Sequence, residues 1–247
     1  KVVAGDKAKI VYARGSNLDY DAEFEARGTM FGKEIKRDLR SKEEMIKEAL
    51  ETSKNADVIL AVLGEGAEMS GESSSRTNLE IPQSQKDLLA ELLKTGKPVV
   101  LVLFTGRPLV LVDENAKVPA ILNVWFPGSE AGLAISDVLF GDVVPSGKLT
   151  ATWPRSVGQI PIYYSHKNTG RPLGNEEGKF EKFKSNYIDE RIEPLYPFGY
   201  GLSYTKFEYS KVKISSNKMA KNDKITVSVD IINTGNYDGK EVVQLYT

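Results

Sequence analysis

Apolar residues fall along the chain in blocks of distinct period. Val58 to Leu63 is a continuous apolar run of strand length, and Val99 to Phe104 is a second. Continuous runs bounded by turn residues fit strands of a parallel sheet, which is covered on both faces. Ala120 to Trp125 predicts a third strand. Between the runs the period lengthens. Ser41-Lys-Glu-Glu44 is a capping box, and Met45, Ile46, Ala49 and Leu50 follow it at helical spacing. Leu88, Leu89, Leu92 and Leu93 predict another helix, with Pro82 in its first turn and Gly96 as its stop. Pro127-Gly128 turns the chain, and Ser129 caps a helix running through Leu139. This alternation predicts an α/β fold: a mostly parallel sheet with helices on both faces.

The flanks read differently. Lys9 to Ala13 is a short strand candidate, and residues 17 to 40 read as loop with one short helix. Lys148 to Trp153 alternates and predicts an antiparallel edge strand. Residues 154 to 200 are rich in proline, glycine and tyrosine, with little regular pattern. Beyond Tyr204 the period falls to two: Ile225, Val227, Val229 and Ile231 alternate with polar residues. Phe207 to Ile214 and Glu241 to Tyr246 add further strand candidates. A β-sandwich of the immunoglobulin or fibronectin type III sort needs about seven strands. The expected division is an α/β domain over 1–203 and an incomplete β-sandwich over 204–247.

Composition narrows the function classes. The chain has 247 residues, a formal net charge of -1 and no cysteine. That charge provides no global field for nucleic acid or a membrane surface. Disulfides, thiolate nucleophiles and cysteine-ligated metals are excluded. No apolar run reaches the roughly 18 residues of a membrane span. The chain opens on Lys1-Val-Val-Ala without an initiator Met or signal peptide, and closes inside a strand-like segment. It reads as cut from something longer.

Candidate chemistry sits in the loop after Leu63. Glu65, Glu68, Glu72 and Arg76 follow the end of an apolar strand, where ligands bind in open α/β sheets. The only histidine is His166, and Gly71-Glu-Ser-Ser-Ser75 lacks the closing glycine of a nucleophile elbow. Gly64-Glu-Gly66 lacks the third glycine of a dinucleotide fingerprint, and its acidic neighbours would repel phosphates. Glu65, Glu68 and Glu72 match no cation-binding loop spacing. Carboxylate chemistry remains. A glycosidase uses one carboxyl as proton donor and another as nucleophile or base. Glu72 lies among small residues that admit a substrate, and Arg76 stands four residues on. From spacing alone, a solvated acidic loop is the plainer reading.

A motif series changes that balance. Gly64-Glu65, Met69-Ser-Gly-Glu-Ser-Ser-Ser-Arg76 and Leu79-Glu-Ile-Pro-Gln-Ser-Gln85 resemble the C-terminal α/β sandwich domain of glycoside hydrolase family 3. So do Gly96-Lys-Pro98, Gly106-Arg-Pro108, Trp125-Phe-Pro-Gly128, Leu139-Phe-Gly-Asp142 and Pro145-Ser-Gly-Lys-Leu149. Trp153-Pro-Arg-Ser-Val-Gly-Gln-Ile-Pro161, Tyr164-Ser-His-Lys-Asn-Thr-Gly-Arg-Pro172 and Tyr196-Pro-Phe-Gly-Tyr-Gly-Leu-Ser-Tyr204 continue it. Each motif alone is weak; their unbroken order over roughly residues 45 to 247 is specific. The bacterial periplasmic β-glucosidase type is the most similar subgroup, and the tail resembles the start of that family's fibronectin type III-like domain.

The resemblance implies a retaining mechanism without cofactor or metal. In the family a nucleophilic aspartate comes from an N-terminal (β/α)8 barrel, which is missing here, and the acid/base glutamate comes from a sandwich loop. The match places the acid/base on Glu72 and a supporting arginine on Arg76, within the Met69-Ser70 motif. Glu65 is expected to position the loop. Asp189 in Asn186-Tyr-Ile-Asp189 is a reserve acid. Arg107 holds loops together. Trp125 and Phe126 read as core. Tyr163, Tyr164 and His166 line the substrate cleft or a subunit contact, with a satisfied structural role favoured for His166. The implied partners are a β-glucoside or oligosaccharide, the barrel, and a second copy in a homodimer. The implied location is periplasmic or secreted. The isolated chain is expected to be inactive and to expose an apolar face around residues 64 to 78. The alternative is a non-catalytic carbohydrate-binding or partner module on the same fold.

Overall fold

Three strands carry the core: β1 (Ile59–Gly64), β2 (Val99–Phe104) and β3 (Ala120–Asn123), parallel and in that order. The computed structural model describes residues 5, 8–33, 35–167, 170–173 and 180–246. Asn168 and Thr169 of the Tyr164–Pro172 motif lie outside the described residues. Central β2 is apolar at every position, and Leu101 and Leu103 are fully buried. On β1 the period is two: Ile59, Ala61 and Leu63 face the core, while Val58, Leu60 and Val62 stay exposed.

Helices α2 (Lys42–Ser53) and α3 (Gln83–Leu93) pack against each other and close the buried side. The capping box on α2 forms as expected: Ser41 Oγ accepts from Glu44 N at 3.2 Å, and Glu44 Oε2 accepts from Ser41 N at 2.8 Å. Pro82 sits at the N-cap of α3, one residue outside the first turn expected for it. Gly96 takes a left-handed φ of 71° after the helix ends, where a side chain would be strained. Leu88, Leu89 and Leu92 of α3 join Leu109, Leu111 and Trp153 in one apolar cluster with β1 and β2.

Helices α1 (Ala22–Gly28), α4 (Val112–Lys117) and α5 (Ala131–Phe140) are the other α-helices of the described residues, and 3-10 turns form at Ala67–Met69 and Val157–Gln159. α1 is the short helix expected within 17–40, and α4 is too short to leave a periodic signature. α5 starts from Glu130 without a side-chain cap, so Ser129 does not cap it. None of its residues is buried. Around α1, buried Glu25 meets Arg37 at 2.7 Å, tying residues 19 to 37 together.

Three expected strands have no ladder. Residues 9–13 carry no strand assignment, and Tyr12 is exposed. Residues 148–153 bend at Thr150 and Ala151 and bond to 195–200 through Leu149 and a bridge between Trp153 and Tyr196, not to the sheet edge. Residues 241–246 also lack strand pairing. The rest of the tail forms two antiparallel pairs, β4 (Phe207–Tyr209) with β7 (Ile231–Asn233), and β5 (Lys213–Ile214) with β6 (Val227–Ser228). Alternation alone does not complete a strand; its backbone groups need a partner.

A polar cluster staples α2 to α3. Asp87 accepts from Lys42 Nζ, Tyr20 Oη and Gln83 Nε2, each at 2.6 Å. These bonds, Lys42 foremost, hold its carboxyl down at about 2. A carboxyl lowered by folding contributes stability that is complete above its ordinary value of 3.8 and is lost as pH falls through about 2. Asp87→Asn is therefore expected to flatten the urea midpoint's decline between about pH 4 and 2, measured on this chain. In the same assay Leu103→Ala is expected to cost about 2–5 kcal/mol, and Leu60→Ala, on the open side of β1, well under half of that. Equal costs would contradict the one-sided core.

Candidate active site

β1 delivers the loop and a set of close backbone approaches roots it. Gly64 has φ 141°, and a Cβ there would overlap the Phe104 carbonyl oxygen. Gln85 of α3 brackets the same residue: Gly64 N donates to its Oε1 at 2.7 Å, and its Nε2 donates to Gly64 O at 2.8 Å. Gln85 shares a helix face with Leu88, Leu89 and Leu92. A glutamine on an apolar helix face is the signal that could have marked it from sequence.

Glu65 follows directly, with a side chain of 0% exposure. Its Oε1 accepts from Arg76 Nη1 at 2.7 Å and lies 3.4 Å from Arg107 Nε. Its Oε2 accepts from Thr105 Oγ1 at 2.6 Å and Gly106 N at 3.3 Å. One buried carboxylate thus gathers two guanidiniums from separate loops. Each arginine also bonds a backbone carbonyl. Arg76 Nη2 donates to Glu80 O at 3.1 Å. Arg107 Nη2 donates to Met69 O and reaches Ser74 O at 3.5 Å.

Arg76, expected as the supporting arginine, bonds Glu65 at the root of the loop. Glu72 is exposed at the loop's tip, beside Ser73, which has a left-handed φ of 59°. Met69 is buried against Gly28, and Ser70 packs on Gly106, so both support the loop from within. The surface around 72–78 is polar: Glu72, Ser73, Ser75, Thr77 and Asn78 are the exposed residues there. Exposed apolar side chains stand close by: Val157, Ile160, Tyr163 and Tyr164 line one cavity with Ser75, Arg76 and Leu79, and Phe126 is beside Gly106.

Other candidates scatter. His166 is exposed, its backbone N–H donating to Tyr163 O at 3.2 Å, so the satisfied structural role does not hold. Asp189 is exposed and borders a cavity of about 260 Å³ with Phe180 and Arg191. No hydrogen bond or ion pair among the described residues joins it to the Glu65 hub. Trp125 packs 5.8 Å from Trp153 as expected of a core residue, whereas Phe126 is exposed. A larger cavity of about 840 Å³ lies between the hub and the 150–164 segment, lined by Arg76, Arg107, Pro154, Tyr163, Tyr164 and Phe198. Its size suits a small-molecule ligand. Thr105, Gly106 and Gln85 belong to the site and were not singled out from sequence.

Comparison with known proteins gives this geometry a family. Residues 3–204 match the model of the glycosyl hydrolase family 3 C-terminal domain. The chain belongs to glycosyl hydrolase family 3. It is 54% identical over 242 residues to a periplasmic β-glucosidase of Salmonella typhimurium, covering 98% of this chain and 31% of that protein. It is 38% identical over 248 residues to a β-xylosidase of Formosa agariphila, covering 100% of this chain and 30% of that protein. The Listeria innocua β-glucosidase, solved in complex with glucose, superposes with a TM-score of 0.75 at 40% identity, over 81% of this chain and 28% of that one. The chain spans less than a third of the length of each of these relatives. This family 3 domain therefore supplies the α/β part of a longer architecture in its relatives.

The hub yields a stability prediction. Glu65→Gln removes the buried charge that two part-buried guanidiniums face, and breaking a buried pair costs about 3–5 kcal/mol. Glu72→Gln, at an exposed site, is expected within about 0.5 kcal/mol of the unaltered chain. Urea unfolding of both variants checks this; similar midpoints would contradict the hub's role.

Proposed function

We propose that this chain supplies the acid/base half of a retaining β-glucosidase active site. The carrying observation is Glu72: an exposed carboxyl at the tip of a loop whose roots are fixed by buried charge. The carboxyl protonates the glycosidic oxygen as the leaving group departs. As carboxylate it then removes a proton from the water that attacks the glycosyl-enzyme, so the two half-reactions return it to its starting state. The nucleophile must stand about 5 Å from it. We assign that nucleophile to an N-terminal barrel domain outside this chain, since relatives are more than three times its length.

The substrate we assign is a terminal β-linked glucoside of a small oligosaccharide or aryl group. Two observations support glucose: the similarity to a protein named periplasmic β-glucosidase, and to a β-glucosidase solved with glucose. The first of those names also supports a periplasmic or secreted location for the parent protein. Residues 204–247 are taken as the opening of a separate fibronectin type III-like domain, a division supported by the change from parallel to antiparallel pairing.

In the full-length parent protein, Glu72→Gln is expected to lower the rate on nitrophenyl β-glucoside by about 10²–10⁴-fold, the range of general acid–base assistance. An unchanged rate would remove Glu72 from the mechanism. This chain alone is expected to leave the same substrate intact. Turnover by it would mean that a second carboxyl of this chain or its twin serves as nucleophile.

A further inference from the structure

Arg107 lines the larger cavity, and it also holds the backbone on both sides of Glu72. Its Nη2 donates to the carbonyl of Met69, three residues before Glu72, and reaches that of Ser74, two residues after. The segment between is short and closed on itself by a Ser74 N to Gly71 O bond at 3.2 Å. Ser73 within it has a left-handed backbone, a conformation that persists only where the surroundings impose it. Gly106, next to Arg107, admits Ser70 so closely that any Cβ would displace it. Glu65 Oε1 stands 3.4 Å from its Nε, an ion pair without a hydrogen bond that draws the guanidinium to the hub.

We propose that Arg107 is a positioning residue for the Glu72 carboxyl, acting through the carbonyls of Met69 and Ser74 under the direction of Glu65. The proposal rests on the assignment of Glu72 as acid/base. Its logic is geometric. The tip of the loop is exposed, so no packing against its side chains sets the carboxyl's place. One arm of a planar, always-charged fork, Nη2, reaches both carbonyls and sets it from beneath. Removing the fork does not strand the hub, because Glu65 keeps Arg76, Thr105 and Gly106 as partners.

The test uses the full-length parent protein with Arg107→Met, Arg107→Lys and Glu72→Gln, assayed on aryl β-glucosides of graded leaving-group acidity. A misplacement of about 1 Å costs around 100-fold where a positioned group is needed. Arg107→Met is expected to lose about 10–100-fold in kcat/KM on phenyl β-glucoside, which needs protonation. On dinitrophenyl β-glucoside, whose leaving group needs none, its loss in kcat/KM is expected to be at least about tenfold smaller. There kcat and KM should fall together, because the glycosyl-enzyme accumulates when base assistance weakens. Arg107→Lys should lie between, since an ammonium supplies a point charge without the fork. It carries the test if Arg107→Met does not fold.

The outcomes separate cleanly. Equal losses on both substrates, or none on either, would overturn the positioning role while leaving Glu72 in place if Glu72→Gln keeps its leaving-group dependence. If Glu72→Gln shows no such dependence, the acid/base assignment itself fails.

Discussion

A buried carboxylate between two arginines is the constraint on which the site depends. Glu65 sits where β1 ends, at 0% exposure, so its charge must be met from within the protein. Arg76 and Arg107 meet it from loops after different strands. With its partners in place the carboxylate is satisfied; without the carboxylate, the guanidiniums it gathers lose their counter-charge at a cost. The hub is therefore weak evidence for extra stability. It is strong evidence for a fixed geometry, because the two loops have one low-energy way to meet.

That geometry divides the loop into a rigid root and a presented tip. Gly64, Gly66 and Gly106 allow backbone approaches that no side chain would tolerate. Met69 and Ser70 turn inward, while Glu72 points its charge outward at the end of a segment with a left-handed residue beside it. In the role proposed for it, Glu72 meets a partner from another domain, so it has to be exposed on its own domain and still be placed to a fraction of an ångström. Fixing the roots with buried charge while leaving the tip polar and free reconciles those requirements.

The sheet follows simpler physics. β2 is hydrophobic on both faces and takes the centre; β1 buries alternate residues, as a strand does when only one face is covered. Trp153, Tyr196 and Tyr200, at the two ends of the aromatic stretch, meet through ring contacts and one isolated bridge rather than through ladders. Ring contacts hold it where hydrogen-bonded pairing is sparse.

Periodicity and caps carried most of the α/β region. The apolar runs at 58–63 and 99–104, the Ser41 box and the leucine spacing of α3 are local signals, and their elements form within a residue or two of where these signals place them. The ordered motifs pointed to the family and to the acidic loop. Pairing was not legible. Residues 9–13, 148–153 and 241–246 have strand-like composition, but a strand exists only when another backbone answers it. Nor was the role of Arg76 legible, because spacing on the chain brought it near Glu72, whereas the fold brought it to Glu65. Sequence by itself determined which segments form the main helices and buried strands of the α/β region, since those depend on neighbours three or four residues away. Only the tertiary structure decided which charges meet, because Glu65, Arg76 and Arg107 are joined by burial across separate loops, and burial is a property of the packed whole.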